Sequence, residues 1–338
     1  MANVIIGIHG LGNKPPRVLL EYWWKQAMRE GLETHQYKTT LPRFELVYWA
    51  DIIYDKPLNA REKNVDSPYY LDERYVPASK NFKEDNHDTR KKIVDFLGDQ
   101  VHRIFLNDDL SLNYSFIADS IVNKYFKELE LYYTNSNINH NGNPNKTKDL
   151  IQSRLLQVLE KYKTDNIMLV SHSMGTIIAF DVLSWKLSTF SVHSFITMGS
   201  PLGLPMVVSK IAAEQNQKLN GESHMVSPEG VSKFWYNFSD ITDKVAFNYK
   251  LADDFSENSL GIKPADFLVV NNYEINDNKN PHKSFGYLRT REFSKILNDF
   301  IQTRELSIWE QLLAKLKQFF DRLRRKRIKI LPENFMKE

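Results

Sequence analysis

The residue types needed for nucleophilic catalysis occur in this sequence in an order that would let them act together. Ser173 comes first, a pair of aspartates follows at Asp240 and Asp243, and His282 comes last. A serine hydroxyl becomes a good nucleophile only when a base takes its proton, and the base needs an acid to hold its tautomer. These residues could therefore form a Ser-Asp-His triad that works through a covalent intermediate.

Ser173 lies at the apex of the stretch Asn166–Phe180, NIMLVSHSMGTIIAF. One apolar run ends just before the apex and a second begins just after it, which predicts a strand that turns into a helix within five residues. Such a turn needs small residues two places to either side of the serine, and Ser171 and Gly175 occupy these places. Ser171 replaces the glycine that is usual there. Ser173 could instead be a plain helix cap, but the candidate acids and the candidate base would then have no role.

The candidate base is found by elimination among nine histidines. In a sheet enzyme of this kind the base follows the last strands, and His282, in the loop Asn280–Tyr287, is the only histidine there. His9 is interpreted as a structural residue that fixes its loop. His172 is next to the nucleophile, but we expect it to point to the opposite side of the turn and to be structural.

The candidate acid follows the predicted strand Lys233–Phe238. Asp240 and Asp243 both lie just beyond its end, and both could serve. Asp243 is favoured, in which case Asp240 would accept hydrogen bonds from backbone amides of the turn. The choice between the two aspartates stays open at this stage.

A candidate oxyanion hole comes from two turns. The predicted strand Ala2–Ile8 ends in His9-Gly10-Leu11, where Gly10 lets the backbone come close to a ligand. The amides of Leu11 and of Met174, the residue after the nucleophile, would then bind the negative charge that develops during acyl transfer. The alternative for the first loop is an ordinary strand-to-helix turn.

The elements that must position these residues form an α/β pattern. Six apolar runs alternate with segments of helical spacing, which predicts a mostly parallel central sheet with helices on both faces. The predicted strands are Ala2–Ile8, Phe44–Ala50, Ile167–Val170, Ser194–Thr197, Lys233–Phe238 and Asp266–Val270. The stretch from about residue 55 to 145 breaks the alternation and is expected to be a helical cap. Residues 211–230 are polar and are expected to form a loop.

Composition narrows the function further. The 338 residues contain no cysteine, which excludes a thiolate nucleophile and a cysteine metal site, and we expect neither a metal nor a cofactor. No secretory signal is visible, and no apolar run approaches the ~20 residues that span a bilayer. The expected location is cytoplasmic.

The last segment, residues 304–338, has a composition of its own. It carries ten Lys and Arg against five Asp and Glu, so the rest of the chain has a net charge of −2 within a total of +3. Apolar residues recur at helical spacing from Ile308 to Leu323. The segment is therefore expected to be a basic amphipathic helix that contacts a membrane surface, packs on the protein or mediates self-association. The net charge of residues 1–303 is close to zero, which argues against a nucleic-acid-binding surface.

Taken together, the motifs resemble those of the α/β-hydrolase superfamily, in its lipase/esterase-like branch. The resemblance spans residues 2–290 and rests on five motifs: His9-Gly10, Ser171–Gly175, Gly199–Leu202, Asn237–Val245 and Asn280–Tyr287. It implies a triad of Ser173, Asp243 and His282, and hydrolysis of a small-molecule or lipid ester. Two alternatives remain: a catalytically silent ligand-binding or sensor protein of the same fold, and a hydrolase of amides or protein-bound acyl groups.

Overall fold

The computed structural model describes residues 1–79, 129–130, 132–133, 147–218, 225–246 and 250–303. The chain divides into two units, Met1–Ile301 and Gln302–Glu338. The fold described below belongs to the first unit. Within the stretch 55–145, expected to be a helical cap, residues 55–79 form no helix. Most of the rest of this stretch, and all of the basic segment at 304–338, lie outside the described residues. The hypotheses about the cap and about membrane contact or self-association of the basic segment therefore stay predictions.

A six-stranded sheet forms the centre of the first unit, and all its neighbouring strands are parallel. Its strands are β1 (Asn3–Ile8), β2 (Arg43–Val47), β3 (Asn166–His172), β4 (Val192–Met198), β6 (Val231–Asp240) and β8 (Pro264–Val269). Their order across the sheet is β2-β1-β3-β4-β6-β8. The predicted α/β class with a parallel sheet is confirmed.

The remaining elements connect or flank these strands. The helices are α1 (Arg17–Thr34), α2 (Ala50–Ile53), α3 (Thr147–Lys161), α4 (Met174–Trp185), α5 (Pro205–Lys218), α6 (Leu251–Asp254), α7 (Ser284–Tyr287) and α8 (Arg291–Gln302), with a 3₁₀ turn at Pro201–Gly203. Two short pairs complete the list: β5 (Met225–Val226) beside β7 (Phe255–Ser256), and β9 (Glu274–Ile275) beside β10 (Asn278–Lys279).

The central strands β1, β3 and β4 are buried on both faces: alternate residues point to opposite sides of the sheet, and both sides are covered. In β3, Ile167 and Leu169 pack in one apolar core, which includes residues of α3 and α4. Met168 and Val170 pack in a second core, which includes residues of α1 and α8. Helices therefore cover both faces, which explains why the strands appear in the sequence as continuous apolar runs.

The strand order places a switch point between β1 and β3. The crossover from β1 leads to β2 on one side, whereas the crossover from β3 leads to β4 on the other. The carboxyl ends of parallel strands meet at one edge, and ligands of open α/β sheets bind in the crevice at such a point. The loops that carry Gly10 and Ser173 leave the sheet at this crevice.

One predicted loop is partly wrong. Residues 211–218 belong to α5, a helix of 14 residues, and only part of the stretch 211–230 is irregular. Val207, Ile211 and Gln215 are buried at four-residue spacing, so a narrow stripe holds the helix on the core. The polar residues around this stripe hide it in the sequence.

Across the described residues, none of the helices combines the length and apolarity that crossing a bilayer requires.

Candidate active site

The backbone at Ser173 is held in a strained conformation between β3 and α4. Its φ is 53° and its ψ is −131°, a region that non-glycine residues rarely adopt. Its amide donates to the carbonyl of Met198 at 3.0 Å, and its carbonyl accepts from the hydroxyl of Thr176 at 2.7 Å. Ser171, which replaces the usual glycine, donates its hydroxyl to the carbonyl of Ile196 at 2.6 Å. The turn therefore tolerates this serine because its hydroxyl has a buried acceptor.

Two glycines let the turn pack tightly against the end of β1. A Cβ added to Gly175 would lie 2.7 Å from the carbonyl oxygen of His9, so any side chain there would push α4 away from the first loop. A Cβ added to Gly10 would lie 2.6 Å from the Cβ of Ser173. Gly10 therefore allows the loop after β1 to approach the serine at van der Waals distance.

The structure brings Ser173, His282 and Asp243 into one hydrogen-bonded chain. The Nε2 atom of His282 lies 3.0 Å from the hydroxyl oxygen of Ser173. Its Nδ1 atom lies 3.0 and 2.9 Å from the two carboxylate oxygens of Asp243. Because an ionised carboxylate only accepts, Nδ1 carries the proton and Nε2 is left as an acceptor for the serine hydroxyl.

Asp243 is fully buried and has a partner for each of its oxygens. Oδ1 accepts from the amide of Val245 at 2.9 Å, and Oδ2 accepts from the hydroxyl of Tyr287 at 2.7 Å. Burial, and then the charge of Asp243, raise the pKa of Tyr287 well above its usual value. The phenol therefore stays protonated and serves as a permanent donor to the carboxylate.

Asp240, the alternative acid, faces away from the histidine. Its Oδ1 accepts from the amide and the hydroxyl of Thr242 at 2.7 and 2.6 Å, and its Oδ2 accepts from the amide of Asn271 at 2.6 Å. Asn271 in turn donates its side-chain amide to the carbonyls of Pro281 and Lys283 at 2.7 and 2.8 Å. Asp240 thus holds the turn and, through Asn271, supports the loop that carries His282.

His172 is placed differently from the prediction, which was wrong about its direction. Its ring lies against the ring of His282 with centroids 4.9 Å apart, and its Nε2 lies 2.6 Å from the carbonyl of His282. Burial lowers the pKa of His172 well below the usual value, and the positive charge that His282 carries when it is protonated lowers it further. The neutral ring therefore donates its Nε2 proton to the loop of the base. Strand alternation would place the side chains of His172 and Ser173 on opposite sides. It fails here because Ser173 has a positive φ.

His9 fixes the peptide that contains the amide of Leu11. The amide of Trp49 donates to Nε2 of His9 at 3.0 Å, so the ring proton is on Nδ1, which lies 2.7 Å from the carbonyl of Gly10. In a trans peptide the carbonyl and the following amide point in opposite directions, so this bond also sets the direction of the Leu11 N–H. Burial, followed by the charge of Lys14, lowers the pKa of His9 to about 3.

The second candidate donor is Met174, the buried first residue of α4. Amides in the first turn of a helix have no carbonyl partner within that helix and carry part of the positive end of its dipole. The amide of Met174 is therefore suited to a negative oxygen next to Ser173.

A cavity of about 630 Å³ opens over Ser173 and His282. One wall is the loop after β1, and another is a segment of residues 54–79, which we call the strap. Six aromatic side chains contribute to the lining: Trp23, Trp24, Tyr54, Tyr69, Tyr70 and Phe285. The volume is in the range of small-molecule sites. The lining also includes six charged side chains: Lys14, Asp55, Lys56, Asp72, Glu73 and Lys283.

Several residues of the site were not identified as functional from the sequence. Tyr287 and Asn271 act only through contacts between distant segments, so no local pattern could reveal them. Gly199 has a φ of +54°, and a Cβ there would lie 2.9 Å from Oδ2 of Asp243; the Gly-Ser-Pro sequence signalled a tight loop but not this contact. Within the part of the chain that the structure describes, no group of three or more His, Cys, Asp or Glu side chains could hold a metal ion.

Comparison with models of protein families and with curated proteins gave no match for this chain. The interpretation of the site therefore rests on its own geometry.

Proposed function

We propose that this protein is a serine hydrolase of the α/β-hydrolase superfamily that cleaves carboxylic esters, with lipid-like esters as the substrate class. The observation that carries the proposal is the chain from Ser173 through His282 to Asp243, with a strained nucleophile at one end and a buried carboxylate at the other. The parallel sheet, with its switch point beneath this chain, also supports the assignment.

The proposed reaction starts when Ser173 attacks the carbonyl carbon of the ester. Nε2 of His282 takes the hydroxyl proton, and Asp243 stabilises the resulting imidazolium through Nδ1. The amides of Leu11 and Met174 bind the oxyanion of the tetrahedral intermediate. Oxyanion donors of this kind typically contribute about 3–4 kcal/mol each to lowering the barrier.

The intermediate then collapses and His282 returns its proton to the leaving alcohol oxygen. An acyl-enzyme on Ser173 remains. Water enters, gives a proton to His282 and attacks the acyl carbon, and the second tetrahedral intermediate releases the acid while the proton returns to Ser173. The aromatic and aliphatic lining of the cavity suits the acyl or alcohol part of an apolar ester.

The test is hydrolysis of p-nitrophenyl esters of graded acyl length by the wild type and by two serine variants. Ser173→Ala should lose more than about 10⁴-fold in kcat. Ser184→Ala is the matched control, because the Ser184 hydroxyl lies buried in α4 without a hydrogen-bond partner among the described residues. This control should keep wild-type activity. The proposal would be refuted if a folded wild type hydrolysed none of the esters, or if Ser173→Ala were as active as the control.

A further inference from the structure

The carboxylate of Glu73 joins the strap to the loop of the base. Its Oε2 accepts from the ammonium of Lys283 at 2.5 Å, and its Oε1 accepts from the side-chain amide of Asn280. Asn280 and Lys283 lie on either side of His282 in the sequence. Both oxygens of Glu73 are thus bound to the loop that carries the base.

Asn280 passes this contact on to the base. While its Nδ2 donates to Glu73, its Oδ1 accepts the backbone amide proton of His282 at 3.0 Å. An asparagine side chain has one donor end and one acceptor end, and its partners decide which way it faces. Because the carboxylate of Glu73 only accepts, it turns the donor end toward the strap and leaves the oxygen for His282.

Further supports of the residues around His282 come from the core side of the molecule. The side chain of Asn271 holds the carbonyls of Pro281 and Lys283, and His172 holds the carbonyl of His282. These contacts fix carbonyl groups, whereas the amide of His282 is held by Asn280. Glu73 therefore acts, through Asn280, on the amide of His282, which these core contacts do not fix.

The charge on Glu73 is maintained by its surroundings. Burial alone would raise its pKa, but the charge and hydrogen bond of Lys283, the hydrogen bond of Asn280 and the charge of Lys14 leave the pKa below the usual value. At neutral pH the group is a carboxylate and cannot donate. The orientation of Asn280 is therefore set over the whole range in which a serine hydrolase would work.

We propose that Glu73, a residue of the pocket wall, is a positioning residue for the base and acts by orienting Asn280. Since Glu73 also lines the cavity, the wall that contacts the substrate and the loop that carries His282 are mechanically connected. This inference rests on the proposed function. A displacement of about 1 Å in a catalytic group can cost on the order of 10²-fold in rate, so a loosened Asn280 should be measurable.

The experiment compares Glu73→Ala, Asn280→Asp and the double variant Glu73→Gln/Asn280→Asp. The readouts are kcat and KM for a p-nitrophenyl ester, and the rate of labelling by a small fluorophosphonate. Glu73→Ala and Asn280→Asp should each lower kcat and the labelling rate about tenfold, the second because two carboxylates would face each other. In the double variant the glutamine can donate to the new aspartate, which still accepts from His282, so about fivefold should be regained over Asn280→Asp alone.

Glu62→Ala is the matched control, since Glu62 belongs to the same strap and its partners lie within it: the amides of Lys63 and Asn64 and the side chain of Ser67. It should leave kcat and the labelling rate unchanged. Wild-type rates in Glu73→Ala, or no recovery in the double variant at an unchanged melting temperature, would overturn the inference while the proposed function stands. A folded wild type that neither hydrolyses esters nor reacts with the probe would instead remove the proposed function itself.

Discussion

The turn after β3 and the turn after β6 contribute the two ends of the same hydrogen-bonded chain but are built on different principles. The first turn, residues 171–175, is a local structure: a positive φ at Ser173, small neighbours and the start of α4 specify it within five residues. The second, residues 239–246, contains two buried aspartates that look equivalent in the sequence. They differ only through their partners from other segments.

Those partners separate the proposed catalytic acid from the structural one. Asp243 meets His282 and Tyr287, whereas Asp240 meets Thr242 and the amide of Asn271. Both carboxylates are buried and hydrogen-bonded, so neither burial nor the number of bonds distinguishes them. The identity of the group across the contact decides the role, and that group comes from a different part of the chain.

The largest difference between the two aspartates should appear when each is neutralised in turn. Asp243→Asn should lower kcat by roughly 10³–10⁴-fold, because an amide can present its NH₂ group to His282 and favour the wrong tautomer. Asp240→Asn should lower kcat less than about tenfold and reduce the free energy of unfolding by about 1–3 kcal/mol, through weakened bonds to Thr242 and Asn271. Steady-state kinetics and urea denaturation measure the two effects. Equal losses of kcat in the two variants would refute the assignment of roles.

Tyr287 connects the two aspartates and offers a smaller test. Its hydroxyl donates to Asp243 at 2.7 Å and accepts from the amide of Asp240 at 2.9 Å. Tyr287→Phe leaves both groups without this partner and should lower kcat about tenfold, with a loss of about 1–3 kcal/mol in stability. Tyr162→Phe is the control, because its hydroxyl donates to the carboxylate of Glu45, outside the candidate site. If both variants behave alike, the bridge has no specific role.

The two histidines beside the first turn should make the free energy of unfolding depend on pH. His9 and His172 are buried and neutral, with pKa values lowered first by burial, to about 3 for His9. In the unfolded chain a histidine takes up a proton near pH 6.5, so the unfolded state binds more protons and is favoured as the pH falls. The stability that these rings contribute is complete above about pH 6.5 and should fall by about 1.4 kcal/mol per pH unit for each ring below it.

Urea denaturation between pH 7 and pH 5 measures this dependence. His172→Gln, whose amide can still donate to the carbonyl of His282, should reduce the slope by about one proton. A slope identical to that of the wild type would show that His172 is not held neutral. A variant at the partly exposed His35, which follows the last residue of α1 and does not line the cavity, is the control.

The sequence predicted those features that local chemistry specifies. The central strands β1, β3 and β4 are recognisable because residues buried on both faces leave continuous apolar runs, and Ser173 is recognisable because its turn fits in five residues. The direction of His172 was predicted wrongly, since strand alternation does not continue into a residue with positive φ. Tyr287, Asn271 and Glu73 could not be predicted, because each acts on a residue that is distant in the sequence or through a third side chain. α5 was missed because its buried stripe is narrow.

The measurement that tests the central claim most directly is covalent labelling with a fluorophosphonate, followed by mass spectrometry of the intact protein and of its peptides. The account predicts one adduct per wild-type chain, located on Ser173, and none on a folded Ser173→Ala variant. It also predicts strongly slowed labelling of His282→Ala, in which the hydroxyl has lost its base. A folded wild type that stays unlabelled, or an adduct on a different residue, would contradict the account.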